Sequence, residues 1–470
     1  MIHFDQDPGW RPAPRTGAPP ARGRRVAAAL AVAVLCLPLA SLRAQDSATA
    51  GGSRHLRLSD VLAAARAHGP AVDAARALTR ESELHVRESS AALLPQIGAS
   101  AYVLNRSYNR QSLGLPRQPL PDGEMASDLV GPFANEDARA TARLSLVDLA
   151  AHRRVGVARD AVAVARHDER AVAENAEAAA ARAYVTLQRD EALVSARASD
   201  TVLALRLVDL ARARHAAGAT SGIDVTRAEV QLAAARTAYA LAVGVAERSR
   251  YELLRAIDAP IDDSRLTVDT LAPVPLGLPE SGDTLVALAL AARPEIGAQA
   301  ARLELAKQSR AAIRMEALPV VSLAGDYGVN GSVRADRTEG TGSVALVVSW
   351  NGWDGGRRHA RVGEQDAQIV AAEARLRDLR AAIATETRSA VTAWRSSRSA
   401  VATSRERVRL ATQELTQAEQ RYSAGLSGSL DVISAQEGLI RAEDASLGAL
   451  ADYNLTRLAV WRALGRLDAQ

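Results

Sequence analysis

The stretch RYSAGLSGSLDV, residues 421–432, breaks a long region rich in Ala, Arg and Glu with two glycines, three serines and an aspartate. RHAAGATSGIDV, residues 214–225, does the same 207 residues earlier, with Arg, Ala, Gly, Asp and Val at identical offsets. Upstream of the two breaks, residues 157–217 and 364–424 contain neither Gly nor Pro. Each run of 61 residues would extend about 90 Å as a helix, far beyond a globular element. Val401, Val408, Leu415 and Tyr422 recur every seven residues, with Ala411 and Ala418 at the companion positions. Val194, Val208 and His215, with Ala204 and Ala211, do the same in the first copy. That period predicts coiled-coil packing through small residues. Periodicity restarts after each break, over Asp224–Ile257 and Asp431–Leu464, so each half predicts a long helix, a tight turn and a returning helix. Gly218 and Gly425 suit the left-handed residue that closes a helix. The Ser and Asp that follow are expected to accept hydrogen bonds from the next helix's free N–H groups.

The repeat extends over the whole chain. Pro70 and Pro95 are 25 residues apart, as are Pro294 and Pro319; Val155 to Gly218 is 63 residues, as is Val362 to Gly425. The halves differ in length in one interval, Pro95 to Val155 being 17 residues longer than Pro319 to Val362. Insertions collect in exposed loops. Within these intervals the period changes to two. Ile97, Ala99, Ala101 and Val103 alternate with Gln96, Gly98, Ser100 and Tyr102; Ala140, Ala142, Leu144 and Leu146 alternate with Arg139, Thr141, Arg143 and Ser145. The second half repeats this with Val321, Leu323, Gly325, Tyr327 and Val329, and with Val344, Leu346, Val348 and Trp350. The extra residues are expected in a loop over roughly 106–136. Strands of about ten residues, apolar on one face, suit a membrane barrel, but four strands cannot close one. If they span a bilayer, several chains must combine, because an open edge in lipid is not tolerated.

The N-terminus reads as a secretory leader over residues 1–44, with Arg22, Arg24 and Arg25 before the apolar run Val26–Ala40. The leader holds six Arg and two Asp, so of 58 basic and 54 acidic residues the remainder keeps 52 of each. The basic balance therefore gives no case for nucleic acid. The single cysteine, Cys36, lies in the leader, which leaves no disulfide, thiol nucleophile or Cys metal site for the mature chain. Aromatics are 3% of the chain and only two are Phe, a composition for long helices packed through Ala and Leu. Histidines are scattered without ligand spacing, and no G-x-S-x-G, phosphate loop or zinc motif occurs. No cofactor, metal or enzymatic chemistry is expected. The first repeat is assigned to 45–262, with a strand hairpin at about 96–147 and a helical hairpin at about 152–257. A linker covers 263–282. The second repeat covers 283–467, with a strand hairpin at about 320–350 and a helical hairpin at about 357–465.

Taken together, LSDVLAAARAHGPAVDAAR, the LLP strand entry, the duplicated A-G-x5-D-V turn and WDGGRRHARV make residues 56–467 resemble the outer membrane efflux protein family, the TolC-like outer membrane factors. The resemblance implies a homotrimer with a long α-helical coiled-coil barrel and four strands per chain in a twelve-stranded β-barrel. It implies location in the outer membrane of a Gram-negative-type cell, most of the chain being periplasmic. It also implies a periplasmic adaptor and an inner-membrane pump of RND or ABC type as partners, for efflux or type I secretion. The helix-turn-helix tips, with Tyr422, Gly425, Asp431, His215, Gly218 and Asp224, correspond to the family's periplasmic entrance. Asn351 stands where the family often has Pro, the first half reads VDLAAHRR in place of the aromatic-Asp-Gly-Gly motif, and Ser434 replaces a second tip carboxylate found in some relatives.

Each candidate residue has two readings. Asp431 either only favours its helix N-terminus or forms a threefold ring that selects cations; Asp224 is the same case. Tyr422 either belongs to the helical seam or narrows the entrance. Arg139 and Arg143 either face the barrel lumen or are solvated near a loop. Tyr102, Tyr327, Trp350 and Trp353 are the candidates for an interfacial aromatic belt, with Trp353 alternatively packed at the strand-to-helix junction. The rival to an export duct is a periplasmic coiled-coil adaptor that never spans a membrane, and the paired strand hairpins are what separates the two.

Overall fold

The computed structural model describes residues 54–261, 266–277, 281–332 and 337–466. The expected leader, with Cys36, lies outside the described residues, as do parts of the expected linker and of the second strand loop. The first repeat runs α1 (Leu58–His68), α2 (Pro70–Ala91), β2 (Gln96–Asn109), β3 (Leu129–Val147), α3 (Leu149–Ala216) and α4 (Gly222–Ala256). The second runs α5 (Gly282–Ala292), α6 (Pro294–Met315), β5 (Val320–Ser332), β6 (Arg337–Ser349), α7 (Arg357–Ser423) and α8 (Ser429–Ala463) in the same order. Two three-residue strands, β1 (Arg54–Leu56) and β4 (Leu266–Val268), pair in parallel beside them.

The sequence positions of Pro explain the joints. Pro70 and Pro294 open α2 and α6 at a position whose N–H would be unbonded anyway. The residues before them, Gly69 and Arg293, are held out of the helical region, with ψ of 128° and 122°. The long helices start earlier than the Gly-free runs indicate. Residue 156 is an interior glycine of α3, and residue 363 one of α7. An interior Gly costs about 1 kcal/mol, which a packed helix of 68 residues absorbs. Asp148 fixes the start of α3, accepting from the Ala151 N–H at 2.7 Å. Asp354 plays the matching part before α7, accepting from the Arg358 N–H at 3.0 Å.

All four hairpin helices end alike. Ala219 N–H donates to Arg214 O and Gly218 N–H to His215 O, the paired bonds of a Schellman cap. Leu426 to Arg421 and Gly425 to Tyr422 repeat it after α7. The ends of α4 and α8 do so at Asp258 and Gly465, again 207 apart and both with positive φ. Near the tips, Ala204, Val208 and Ala211 of α3 pack with Ala411, Leu415 and Tyr422 of α7 and with Val432, Ala435, Leu439 and Ala442 of α8. Val408 and Ala418 pack against this cluster and Val401 joins a separate one, whereas the predicted seam residue Val194 is in none of the clusters and His215 is exposed.

The strands are longer than expected, 13 to 19 residues. The ladder between β2 and β3 resumes beyond a bulge at Arg106 and runs on to Asn109 and Leu129. The loop therefore narrows to residues 110–128, tied by Arg117 Nε to Asp128 at 2.7 Å. One antiparallel sheet results, in the order β2-β3-β5-β6, so β3 and β5 join the two repeats. The pairing registers put Ile97, Val103, Ala140, Leu144, Leu323, Tyr327, Val344 and Leu346 on one face. Ile97 is 82% and Val344 81% exposed, so none of the described residues covers it. Among the described residues, no helix is long and apolar enough to cross a membrane.

The short parallel pair is clipped by side chains. Tyr184 OH donates to Asp269 at 2.8 Å, and His55 Nε2 lies 2.9 Å from the other carboxylate oxygen. Burial pushes the Tyr184 hydroxyl up and the bond to Asp269 reinforces this, while the Tyr184 hydroxyl holds Asp269 below the usual carboxylate range.

Candidate functional site

The two tips are built from glycine upward. Gly218 and Gly425 take φ of 73° and 78°, a conformation that costs any residue with a Cβ roughly 1–2 kcal/mol, and the chain can therefore reverse within a few residues. The reversal places the two tips side by side. Tyr422 is fully buried, and the Arg214 guanidinium from the other hairpin lies 4.5 Å above its ring. Burial pushes the Tyr422 hydroxyl up and the Asp224 carboxylate adds to this, against a smaller opposing effect of Arg214. Tyr422 OH and Arg214 Nε and Nη1 are buried without a hydrogen-bond partner among the described residues. The contact is thus held by packing and by the ring's attraction for the cation.

The two tip aspartates differ in use. Asp224 accepts from Ser429 Oγ of the opposite tip at 2.5 Å and from its own Ser221 Oγ at 3.3 Å, with Arg227 at 4.0 Å. Asp431 is exposed and makes no ion pair or side-chain hydrogen bond among the described residues. Neither carboxylate accepts from a helix N–H, contrary to the expected capping. The N-caps Ser221 and Gly428 likewise make no side-chain cap bond. Both aspartates lie in the first turn, where the helix dipole still favours them. His215 is turned onto its own loop, its Nδ1 3.0 Å from Thr220 O. Ser434, one turn after Asp431, is exposed beside it.

On the sheet, the face opposite the apolar one carries Ser100, Tyr102, Asp137, Arg139, Thr141, Arg143, Asp326 and Ser343. Arg139 is not a free cation. It pairs with Asp137 and, at 2.9 Å, with Asp326 across the junction between the repeats, and Ser343 donates to Asp326. Gly328 lies opposite Arg139, where a Cβ would stand 2.3 Å from Ala138 O and 2.4 Å from Arg139 Cβ. Arg143 is exposed on the same face with no ion pair among the described residues. Of the aromatic candidates, Tyr327 lies on the apolar face and Tyr102 on the polar face, directly opposite Asp137. Trp350 follows β6 and donates from Nε1 to Ala317 O at 3.0 Å, while Trp353 is 86% exposed in the joint before α7. Asn351 uses its backbone carbonyl to accept from Arg358 at 2.8 Å.

Between tip and sheet the helices are cross-tied by charge. Arg197 of α3 bonds Asp200 at 2.9 Å and Asp444 of α8 at 2.5 and 2.7 Å. Buried Arg293, at the α5–α6 joint, bonds Glu295 at 3.1 Å and Glu386 at 3.0 Å. Glu177 of α3 lies 3.2 Å from Arg66. Glu174, one turn earlier, has no ion pair among the described residues. Burial, then the nearby Glu295 carboxylate, push it up to about 7. No cluster of described residues could hold a metal ion.

Sequence reasoning missed Arg214, Ser429, Asp326 and Gly328. Arg214 carried a signal, since it matches Arg421 at the repeat offset. The others depend on which strand or tip faces which.

This architecture has known counterparts. Residues 285–466 match the family model of outer membrane efflux proteins. The protein CyaE of Bordetella pertussis is 27% identical over 419 residues, covering 88% of this chain and 84% of that one. The fold matches that of the outer-membrane channel OprN, with a TM-score of 0.71 at 19% identity over 87% of this chain and 89% of that one. It also matches the CmeC outer membrane channel of Campylobacter jejuni, with a TM-score of 0.72 at 15% identity over 87% and 85%. Over residues 285–466 the chain is thus similar to the outer membrane efflux proteins, and its fold is that of the outer membrane channels OprN and CmeC.

Proposed function

We propose that this protein is a passive export duct of the outer membrane. Three copies would close a twelve-stranded barrel above a periplasmic helical tunnel. The observation that carries this is the four-stranded sheet. Its apolar face is uncovered, and its outer strands β2 and β6 each pair on one side only. Four strands cannot close a barrel and lipid does not tolerate an open edge, so copies must supply strands to one another. The names of the similar channels support the same reading. The polar face, with Arg143 and the neutralised Arg139, would line the lumen. Tyr327, Trp350 and Trp353 would meet the membrane boundary.

The tips would form the periplasmic entrance, with three copies of Asp431 presenting carboxylates to the pore. A periplasmic adaptor and an inner-membrane RND or ABC pump would supply cargo and energy, and the duct itself would perform no chemistry. Cell fractionation tests the duct. Recovery in the outer membrane as a detergent-stable trimer is expected, and a soluble periplasmic monomer would refute it. For the entrance, Asp431→Ala is expected to weaken block by multivalent cations in single-channel recordings, and unchanged block would remove Asp431 from the pore.

A further inference from the structure

Residues related by the repeat offset are used unequally at the tips. Tyr422 and Ser429 are fully buried, and Arg214 and Asp224 half-buried, where one tip meets the other. Their counterparts 207 residues away are His215, Gly222, Arg421 and Asp431, and all four are exposed. The backbone is the same in both, with matching caps and matching positive φ at Gly218 and Gly425. One set of a duplicated contact is therefore made inside the chain, and the complementary set is presented outward.

We infer that the outward set makes the corresponding contact with a second copy of this chain, Arg421 stacking on His215 of the partner subunit. This rests on the trimeric reading above, in which a ring of three chains alternates within-chain and between-chain tip joints. The two joints differ in strength because their chemistry differs. The within-chain joint has a phenol ring under Arg214 and a serine hydroxyl on Asp224. The between-chain joint offers the smaller imidazole to Arg421. It offers a glycine, with no hydroxyl, to Asp431. The subunit boundaries are therefore the weaker joints, and dilation of the entrance begins there while each within-chain pair of tips moves together. The same asymmetry leaves Asp431 free of the serine that occupies Asp224.

Cross-linking of the full-length protein tests the assignment. With His215→Cys and Arg421→Cys in one chain, a short bis-maleimide is expected to give covalent dimers and trimers on a denaturing gel. With Arg214→Cys and Tyr422→Cys, the link is expected to form within one chain. Trimers intact by light scattering that yield no between-chain product would overturn the inference alone. Absence of any trimer would overturn the trimeric reading, and the inference with it. His215→Tyr with Gly222→Ser copies the within-chain joint. It is expected to lower the open-to-closed ratio in bilayer recordings by roughly two- to five-fold per joint; an unchanged or higher ratio would refute the claim that these joints are the weak ones.

Discussion

Replacing Glu174 by Gln should stabilise the protein increasingly as pH rises above 4.5, and most where the solution is neutral or alkaline. Glu174 sits half-buried on α3 beside Glu295, with Glu177 one turn away, and both nearby arginines are engaged elsewhere, Arg66 by Glu177 and Arg293 by Glu295 and Glu386. Its carboxyl is pushed up to about 7 from 4.5. Below pH 4.5 the folded and unfolded chains both hold this proton, and the contribution is unaffected by pH. As pH rises towards 7 the unfolded chain releases the proton while the folded chain keeps it, so stability falls, and the full cost stands above 7. At about 1.4 kcal/mol per tenfold change in proton affinity the cost would be ~3 kcal/mol, reduced to ~1–2 kcal/mol by the group's partial access to solvent. Gln keeps the shape of the protonated acid and cannot ionise. Thermal unfolding followed by tryptophan fluorescence should place Glu174→Gln about 1–2 °C above the parent at pH 8. The two should converge as pH approaches 4.5. A variant less stable than the parent at pH 8, or a difference independent of pH, would refute the reasoning.

Gly328→Ala drives a Cβ into Ala138 O and Arg139 and should part β3 from β5, read as a sharp loss of membrane-assembled protein at equal expression. Tyr422→Phe should be nearly neutral in melting temperature, because the hydroxyl has no hydrogen-bond partner among the described residues. Tyr422→Ala should cost about 3–5 kcal/mol of local stability, read as faster proteolysis at the tips. Arg197→Gln strands the buried Asp200 beside Asp444 and should cost about 3–5 kcal/mol, with partial recovery in the Arg197→Gln/Asp200→Asn double variant; no recovery would mean that the two residues are not coupled.

What could be read from the sequence followed from constraints that act locally. Gly218 and Gly425 stand out because only Gly takes a positive φ without strain between two long Gly-free runs. The sheet's two faces were legible because alternation fixes them whatever the partner strand. The Gly-free runs alone start too late, at residues 157 and 364, because a propensity argument treats an interior glycine as a stop, and packing overrides it at Gly156 and Gly363. The Arg139 network was not legible, since Arg139 and Asp326 are 187 residues apart and meet only through the β3–β5 register. The sequence also presents Asp224 and Asp431 as equals. The structure separates them through the residue opposite, Ser429 against Asp224. The three-residue pair β1–β4 is too short for any period to reveal.

The unpaired rims of the sheet bear on how the protein is made. A single copy in transit carries β2 and β6 as long strands with free N–H and C=O groups beside an uncovered apolar face. Such a surface pairs with any strand it meets. On the proposed duct reading, a lone chain would be most vulnerable before it reaches its destination, and would need an escort that shields the rims during the journey. On the export-duct reading, bilayer entry and assembly would be one event, because a copy that entered alone would leave both rims unsatisfied in lipid.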